Sequence, residues 1–243
     1  MSRHTKIVAT LGPASSDIAT LERLVQAGVD VVRLNFSHGK AEDHIARANQ
    51  IREASQLAGR PVGILADMQG PKIRVGKFEE GKITLQKDAA FILDAAFAGP
   101  GNAHRVGLDY KDLPRDVKPG DVLLLDDGRL KLGVERVLGH EIHTTVKVGG
   151  ELSNNKGINR QGGGLTAPAL TAKDMDDIKT AAQIGVDFVA ISFPKGAADM
   201  YMARQLLRAA GSSAMLIAKI ERTEAVANLE EILDASDGIM VAR

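Results

Sequence analysis

Hydrophobic and polar positions follow two rhythms along this 243-residue chain: period two, as a strand requires, and period 3.6, as a helix requires. The sharpest alternation runs through residues 30–39. Val32, Leu34 and Phe36 alternate with Arg33, Asn35 and Ser37, so one face is apolar and the other carries a guanidinium, an amide and a hydroxyl. An amphipathic strand with a wet face explains that pattern by itself. A polar row at the C-terminal end of a buried parallel strand is also where α/β enzymes keep their sites. Residues 5–11 predict an earlier strand, ended by Gly12-Pro13. Ser16 or Asp17 then caps a helix to about Ala27, with Leu21, Leu24 and Val25 on one face and Gly28 as its stop. Downstream, the pattern gives a helix over about 41–57, a Gly59-Arg60-Pro61 turn and a strand over 62–67.

An internal repeat sets the architecture. Gln26-Ala27-Gly28-Val29-Asp30-Val31-Val32-Arg33-Leu34-Asn35-Phe36 returns as Gln183-Ile184-Gly185-Val186-Asp187-Phe188-Val189-Ala190-Ile191-Ser192-Phe193. The shared unit is a helix end, a glycine cap and an inward strand, so the chain repeats an αβ module. Two more modules follow: a helix over 198–210 with a strand over 215–221, and a helix over 223–235 with a strand over 238–243. Six parallel strands with right-handed helical crossovers result. Between the third and fourth, about 75–165 breaks the rhythm with short β-type runs (82–85, 121–125, 131–137, 141–148) separated by Gly, Pro and Asp turns. That stretch predicts an inserted all-β domain, and divides the chain into 1–74, 75–165 and 166–243.

Composition narrows the picture slightly. Lys+Arg and Asp+Glu are equal at 31 each, so no bulk charge argues for nucleic acid or a membrane surface. The absence of cysteine removes disulfides, thiolate metal sites and thiol nucleophiles. Met1 leads straight into residues 6–10 with no apolar signal region, and no apolar run is long enough to span a bilayer, so a cytoplasmic protein is expected.

Parity selects the candidate chemistry. Lys219 and Glu221 share one face at the end of their strand, where they are either a simple salt bridge or a cation and a metal-binding carboxylate. Asp67 ends the third strand and could bind a cation; Lys72 and Arg74 follow Gly70-Pro71 at its rim. Gly162-Gly163-Gly164 is a flexible return, because no Lys-Ser or Lys-Thr follows to make it a phosphate loop. His38, His44, His140 and His143 form no metal-binding spacing. Asp126-Asp127-Gly128 reads as a turn between strands of the insert.

These residues resemble the pyruvate kinase family. The matching segments are residues 5–15, Val32-Arg33-Leu34-Asn35-Phe36-Ser37-His38-Gly39, Asp67-Met68-Gln69-Gly70-Pro71-Lys72-Ile73-Arg74, Lys156-Gly157-Ile158-Asn159, Ala218-Lys219-Ile220-Glu221 and residues 236–243. The resemblance implies a (β/α)8 TIM-type barrel, with about six of eight strands present and a β-rich lid domain inserted after strand three. It implies transfer of the phosphoryl group of phosphoenolpyruvate to ADP, giving pyruvate and ATP.

By the same resemblance, Arg33 and Lys219 bind substrate and stabilise the phosphoryl group in flight. Asn35, His38, Arg74 and Lys156 serve the nucleotide, and Glu221 holds Mg²⁺ or Mn²⁺. Asn35, Ser37, Asp67 and the Met68 carbonyl match the family's monovalent-cation site. Lys72 stands where potassium-dependent members have Glu, so its ammonium is expected to replace K⁺ and K⁺ is not expected to be required. A homotetramer is implied for the full-length enzyme. The family pattern continues past Arg243 with a second Mg²⁺ ligand and two more barrel strands, so the 243 residues alone are expected to be an inactive fragment. Two rivals are a Mg²⁺-dependent enol-pyruvate aldolase or lyase barrel, and a truncated assembly module without catalysis.

Overall fold

A computed structural model describes residues 4–241. The chain divides into two compact units, one made of the chain up to Pro71 and from Pro168 onward, the other of Lys72–Ala167. Each encloses its own apolar core.

The first unit repeats strand and helix. Its elements are β1 (Val8–Thr10), α1 (Ile18–Gln26), β2 (Val31–Asn35), α2 (Ala41–Leu57) and β3 (Gly63–Asp67). After the insertion come α3 (Ala172–Ile184), β4 (Phe188–Ile191), α4 (Ala197–Ala209), β5 (Met215–Ile220), α5 (Thr223–Ala227), α6 (Leu229–Ala235) and β6 (Gly238–Val241). The strands are parallel and lie side by side in chain order, β1 to β6, the arrangement of a partial (β/α)8 barrel. Val32, Leu34 and Phe36 are buried as their parity requires, in one core with Leu21 and Val25 of α1 and Ile51 of α2.

Local chemistry explains the boundaries. Asp17 is the cap of α1, its carboxylate accepting the Thr20 N–H at 2.8 Å. Both halves of the repeat place a positive-φ glycine at the helix end: Gly28 (φ 104°) follows the α1 cap Ala27, and Gly185 (φ 68°) itself caps α3. Three details differ from the sequence reading. β1 pairs only over three residues, Val8 to Thr10 against Val31 to Arg33. The helix expected over 223–235 is two, α5 and α6, divided at Asn228 (φ −104°, ψ 24°), whose side chain donates to the Lys195 carbonyl at 2.8 Å. The final strand is described to Val241; Ala242 and Arg243 lie outside the described residues.

The second unit is β-rich. One six-stranded sheet holds Val122–Leu125, Leu130–Leu138 and Glu141–Val148, and a two-stranded sheet pairs Lys82–Leu85 with Gly150–Ser153. Ala90–Asp94, Arg105–Gly107 and Ile158–Arg160 complete the larger sheet, and a four-residue helix spans Leu113–Asp116. The unit takes in Lys72 and Arg74, which the sequence reading assigned to the barrel. Gly162, Gly163 and Gly164 all have φ between 81° and 86°, a backbone that glycine adopts without steric penalty. Among the described residues, no helix is long and apolar enough to cross a membrane.

Candidate functional site

Parallel pairing brings the ends of four strands of the first unit to one rim. Asn35 faces Asp67 across β2 and β3, Asp67 faces Ala190 of β4, and Ile191 faces Ala218 of β5. Asp67 is the centre of what gathers there. It is 1% exposed, and each oxygen meets a cation: Oδ2 lies 2.6 Å from Arg33 Nε, and Oδ1 lies 3.2 Å from Lys219 Nζ. A carboxylate this deeply buried would be strongly disfavoured unpaired; two cationic partners hold it there.

Lys219 links the rest of the cluster. Its ammonium also lies 3.2 Å from Glu221 Oε1 and donates a hydrogen bond to Ser192 Oγ at 2.8 Å. Ser192, directly after β4, donates its hydroxyl proton to the Met68 carbonyl at 2.6 Å. Glu221 Oε2 accepts the Phe193 N–H at 3.1 Å. Arg33 reaches across to β1, donating to Thr10 Oγ1 at 3.0 Å. Phe193 has a φ of 58°, rare for a bulky residue and costing about 1–3 kcal/mol, so the surrounding contacts must hold it.

The structure therefore brings together Arg33, Asp67, Met68, Lys219 and Glu221. Asn35, Ser37 and His38 form the turn after β2, where Ser37 N–H donates to Asn35 Oδ1 at 3.1 Å and His38 N–H to the Asn35 carbonyl at 3.2 Å. Of the four groups expected to hold a monovalent cation, three already have partners within the chain: Asn35 Oδ1, the Asp67 carboxylate and the Met68 carbonyl. Below this turn, His44 stacks on Phe36 with ring centroids 4.0 Å apart. Burial lowers its imidazole pKa, an effect only partly opposed by the His38 backbone.

Arg74, Lys156 and Lys72 belong to the second unit. Arg74 and Lys156 lie on adjoining antiparallel segments, with Arg74 paired to Gly157 and Val75 N–H donating to the Lys156 carbonyl at 2.9 Å. The Arg74 guanidinium donates to the Asn155 carbonyl at 2.7 Å, and Lys156 Nζ lies 2.7 Å from Asp126 Oδ1. Burial raises the pKa of Asp109, whose Oδ1 accepts the Arg74 N–H at 2.7 Å. Asp126 and Asp127 both have positive φ in the turn between Leu125 and Leu130, as that Asp-Asp-Gly stretch suggests.

As a metal site, the cluster offers Glu221, since both oxygens of its other carboxylate, Asp67, already face Arg33 and Lys219. Among the described residues, no group of three or more His, Asp or Glu could hold an ion. Glu221 suits Mg²⁺ as a single protein ligand, since that ion usually takes one or two carboxylates and completes its shell with water and substrate oxygens.

Sequence reasoning overlooked Thr10 and Ser192, and took Asp126 as part of a turn without seeing its partner. For Ser192 the signal was present: in the internal repeat it occupies the position of Asn35. The partners of Thr10 and Asp126, Arg33 and Lys156, meet them only on folding.

Residues 2–243 match the family described as pyruvate kinase, barrel domain. The chain is 55% identical to pyruvate kinase of Haemophilus influenzae over 245 residues, covering 99% of this chain and 51% of that protein. It is 55% identical to pyruvate kinase II of Salmonella typhimurium with the same coverage, and 46% identical to pyruvate kinase of Corynebacterium efficiens, covering 100% and 51%. The chain spans about half the length of the curated relatives it matches.

Proposed function

Since the chain belongs to the pyruvate kinase family, we propose that its first unit carries the phosphoryl-transfer centre of an enzyme acting on phosphoenolpyruvate and ADP. The observation that carries this reading is the meeting of Arg33 and Lys219 on one buried carboxylate, Asp67, with Glu221 alongside. In the transfer, the bond between phosphorus and the enol oxygen breaks and one to a terminal oxygen of ADP forms. The enolate released then takes up a proton to become pyruvate. Charge spreads over the phosphoryl oxygens and grows on the enol oxygen, so fixed cations are the catalytic need.

Asp67 prepares two such cations. It holds the guanidinium and the ammonium close together, at an angle each could scarcely keep alone, while Arg33 remains 26% exposed and able to reach a ligand. Arg33 grips the phosphoryl group, and Lys219 follows the charge that develops on phosphoryl and enol oxygens. Arg33 and Lys219 are offset by Asp67 and Glu221, two positive groups against two negative, so the cluster by itself has no surplus charge for a phosphorylated acid. A divalent cation on Glu221, when bound, would supply that surplus and draw the substrate's oxygens together. In the second unit, Arg74 and Lys156 are the cations proposed for the nucleotide phosphates.

No monovalent cation is required on this reading. The engagement of Asp67 by Arg33 and Lys219, of Met68 by Ser192 and of Asn35 by Ser37 supports it. Pyruvate formation measured with phosphoenolpyruvate, ADP and Mg²⁺ tests the proposal in a protein of the curated relatives' full length, of which this chain spans about half. Product should depend on both substrates and on the divalent ion, and persist in buffer free of K⁺ and Na⁺. Absence of product with all three present would overturn the activity; strict K⁺ dependence would overturn the cation reading alone.

A further inference from the structure

The corner directly after β4 makes more connections than a strand end needs. Ser192 is 1% exposed, and its hydroxyl joins three strands: it accepts from Lys219 of β5 and donates to the Met68 carbonyl after β3, while itself following β4. Its neighbour Phe193 turns into the left-handed region (φ 58°), which aims its N–H at Glu221 Oε2. The Arg222 guanidinium lies over the Phe193 ring, 5.7 Å from its centroid. On the other side Gly70, itself at φ 66°, leaves no space: a Cβ there would come within 2.8 Å of Ser192 Cβ. Two adjacent residues thus each hold one of the two neighbouring ionic side chains of β5 and its end.

We propose that Ser192 and Phe193 form a positioning corner that aims Lys219 and Glu221, with the Ser192 hydroxyl setting the direction of the Lys219 ammonium. Because that hydroxyl gives its proton to the Met68 carbonyl, its lone pairs face Lys219 and cannot swing away. A lysine ammonium is otherwise a freely rotating point charge on four methylenes, and the hydroxyl removes much of that freedom. The inference rests on the phosphoryl-transfer reading for its kinetic consequence, but not for its geometric one.

The test compares wild-type protein with Ser192→Ala, and with Ser192→Cys, which keeps the volume but accepts and donates weakly. The first readout is the rate at which an amine-directed reagent modifies Lys219, followed by peptide mass spectrometry. Severalfold faster modification in both variants is expected, with other lysines unchanged; equal rates in wild type and both variants would overturn the inference. The second readout is steady-state kinetics. Loss of such an orienting partner should lower kcat by about 10- to 100-fold with KM for the phosphorylated acid changed by less than about twofold, Ser192→Cys lying between wild type and Ser192→Ala. Unchanged kcat in both variants of an active protein would overturn it. Should wild type prove inactive, the phosphoryl-transfer reading fails while the lysine readout still decides the corner. Thermal unfolding of each variant accompanies both measurements, so loss of the fold is distinguished from loss of aim.

Discussion

His44 shows how one buried side chain joins sequence pattern to pH. It is 1% exposed, and the Phe36 ring covers its face. Burial is the largest cause and lowers its pKa below the ordinary 6.5; Arg47 from its own helix and Lys173 from α3 act the same way, while the His38 backbone and Asp177 of α3 oppose them. A depressed folded-state pKa contributes stability that is present above the unfolded value and lost as pH falls below it. Denaturant midpoints for the first unit should therefore decline from pH 7 to pH 5. Asp177 acts in a lower range: burial raises its pKa from 3.8, so its contribution is present below that value and lost as pH rises through the raised one. His44→Phe, which keeps an aromatic stack without a titrating ring, should flatten the decline between pH 5 and 6.5. An unaltered slope in a folded variant would exclude His44 as its source. The sequence shows a histidine five residues after Gly39; it does not show the aromatic cover that makes the histidine a pH-sensitive support.

At the scale of elements, the regular parts were the legible ones. The alternation of Val32, Leu34 and Phe36 gives β2 its inward face, and α2 occupies Ala41–Leu57 as its pattern indicates. The repeat of Gln26–Phe36 at Gln183–Phe193 carries enough information to align β2 with β4 before any coordinates. What the pattern lacked were elements made by tertiary pairing. Ala90–Asp94 and Arg105–Gly107 are strands because each lies beside another, not because their residues alternate cleanly. The break at Asn228 depends on a side-chain bond to Lys195, 33 residues away. Phe193 is likewise hidden, since nothing in its neighbours announces a positive φ. Gly70 gives this scale its prediction. Alanine there would meet Ser192 at 2.8 Å and adopt φ 66°, so Gly70→Ala should destabilise the first unit by about 2 kcal/mol or more. Urea unfolding measures it, and a loss under about 0.5 kcal/mol would show that the corner after β4 yields.

At the scale of the whole molecule, two cores imply two separable folding problems. Phe91, Leu93, Leu123, Leu132 and Ile142 are buried within Lys72–Ala167, in a cluster distinct from that of Phe36 and Ile51. Residues 72–167 expressed alone should fold and melt in a single cooperative transition; a chain without cooperative unfolding would show that this core depends on the rest. The first unit gathers on one rim side chains from positions as distant as 10 and 221, and no local segment contains the site. The sequence identified Arg33, Asp67, Lys219 and Glu221 by their places at strand ends. It could not reveal that one carboxylate holds both cations, because that fact requires β2 beside β3, and β5 brought to the same rim across β4. The central proposal is that this shared rim supports phosphoryl transfer, with the ammonium of Lys219 stabilising the charge that develops on the moving group. Its most direct test is the turnover of Lys219→Met against wild type, with phosphoenolpyruvate, ADP and Mg²⁺. A fall in kcat of about 10³ or more with KM for phosphoenolpyruvate nearly unchanged is the predicted result; wild-type turnover in the variant would contradict it.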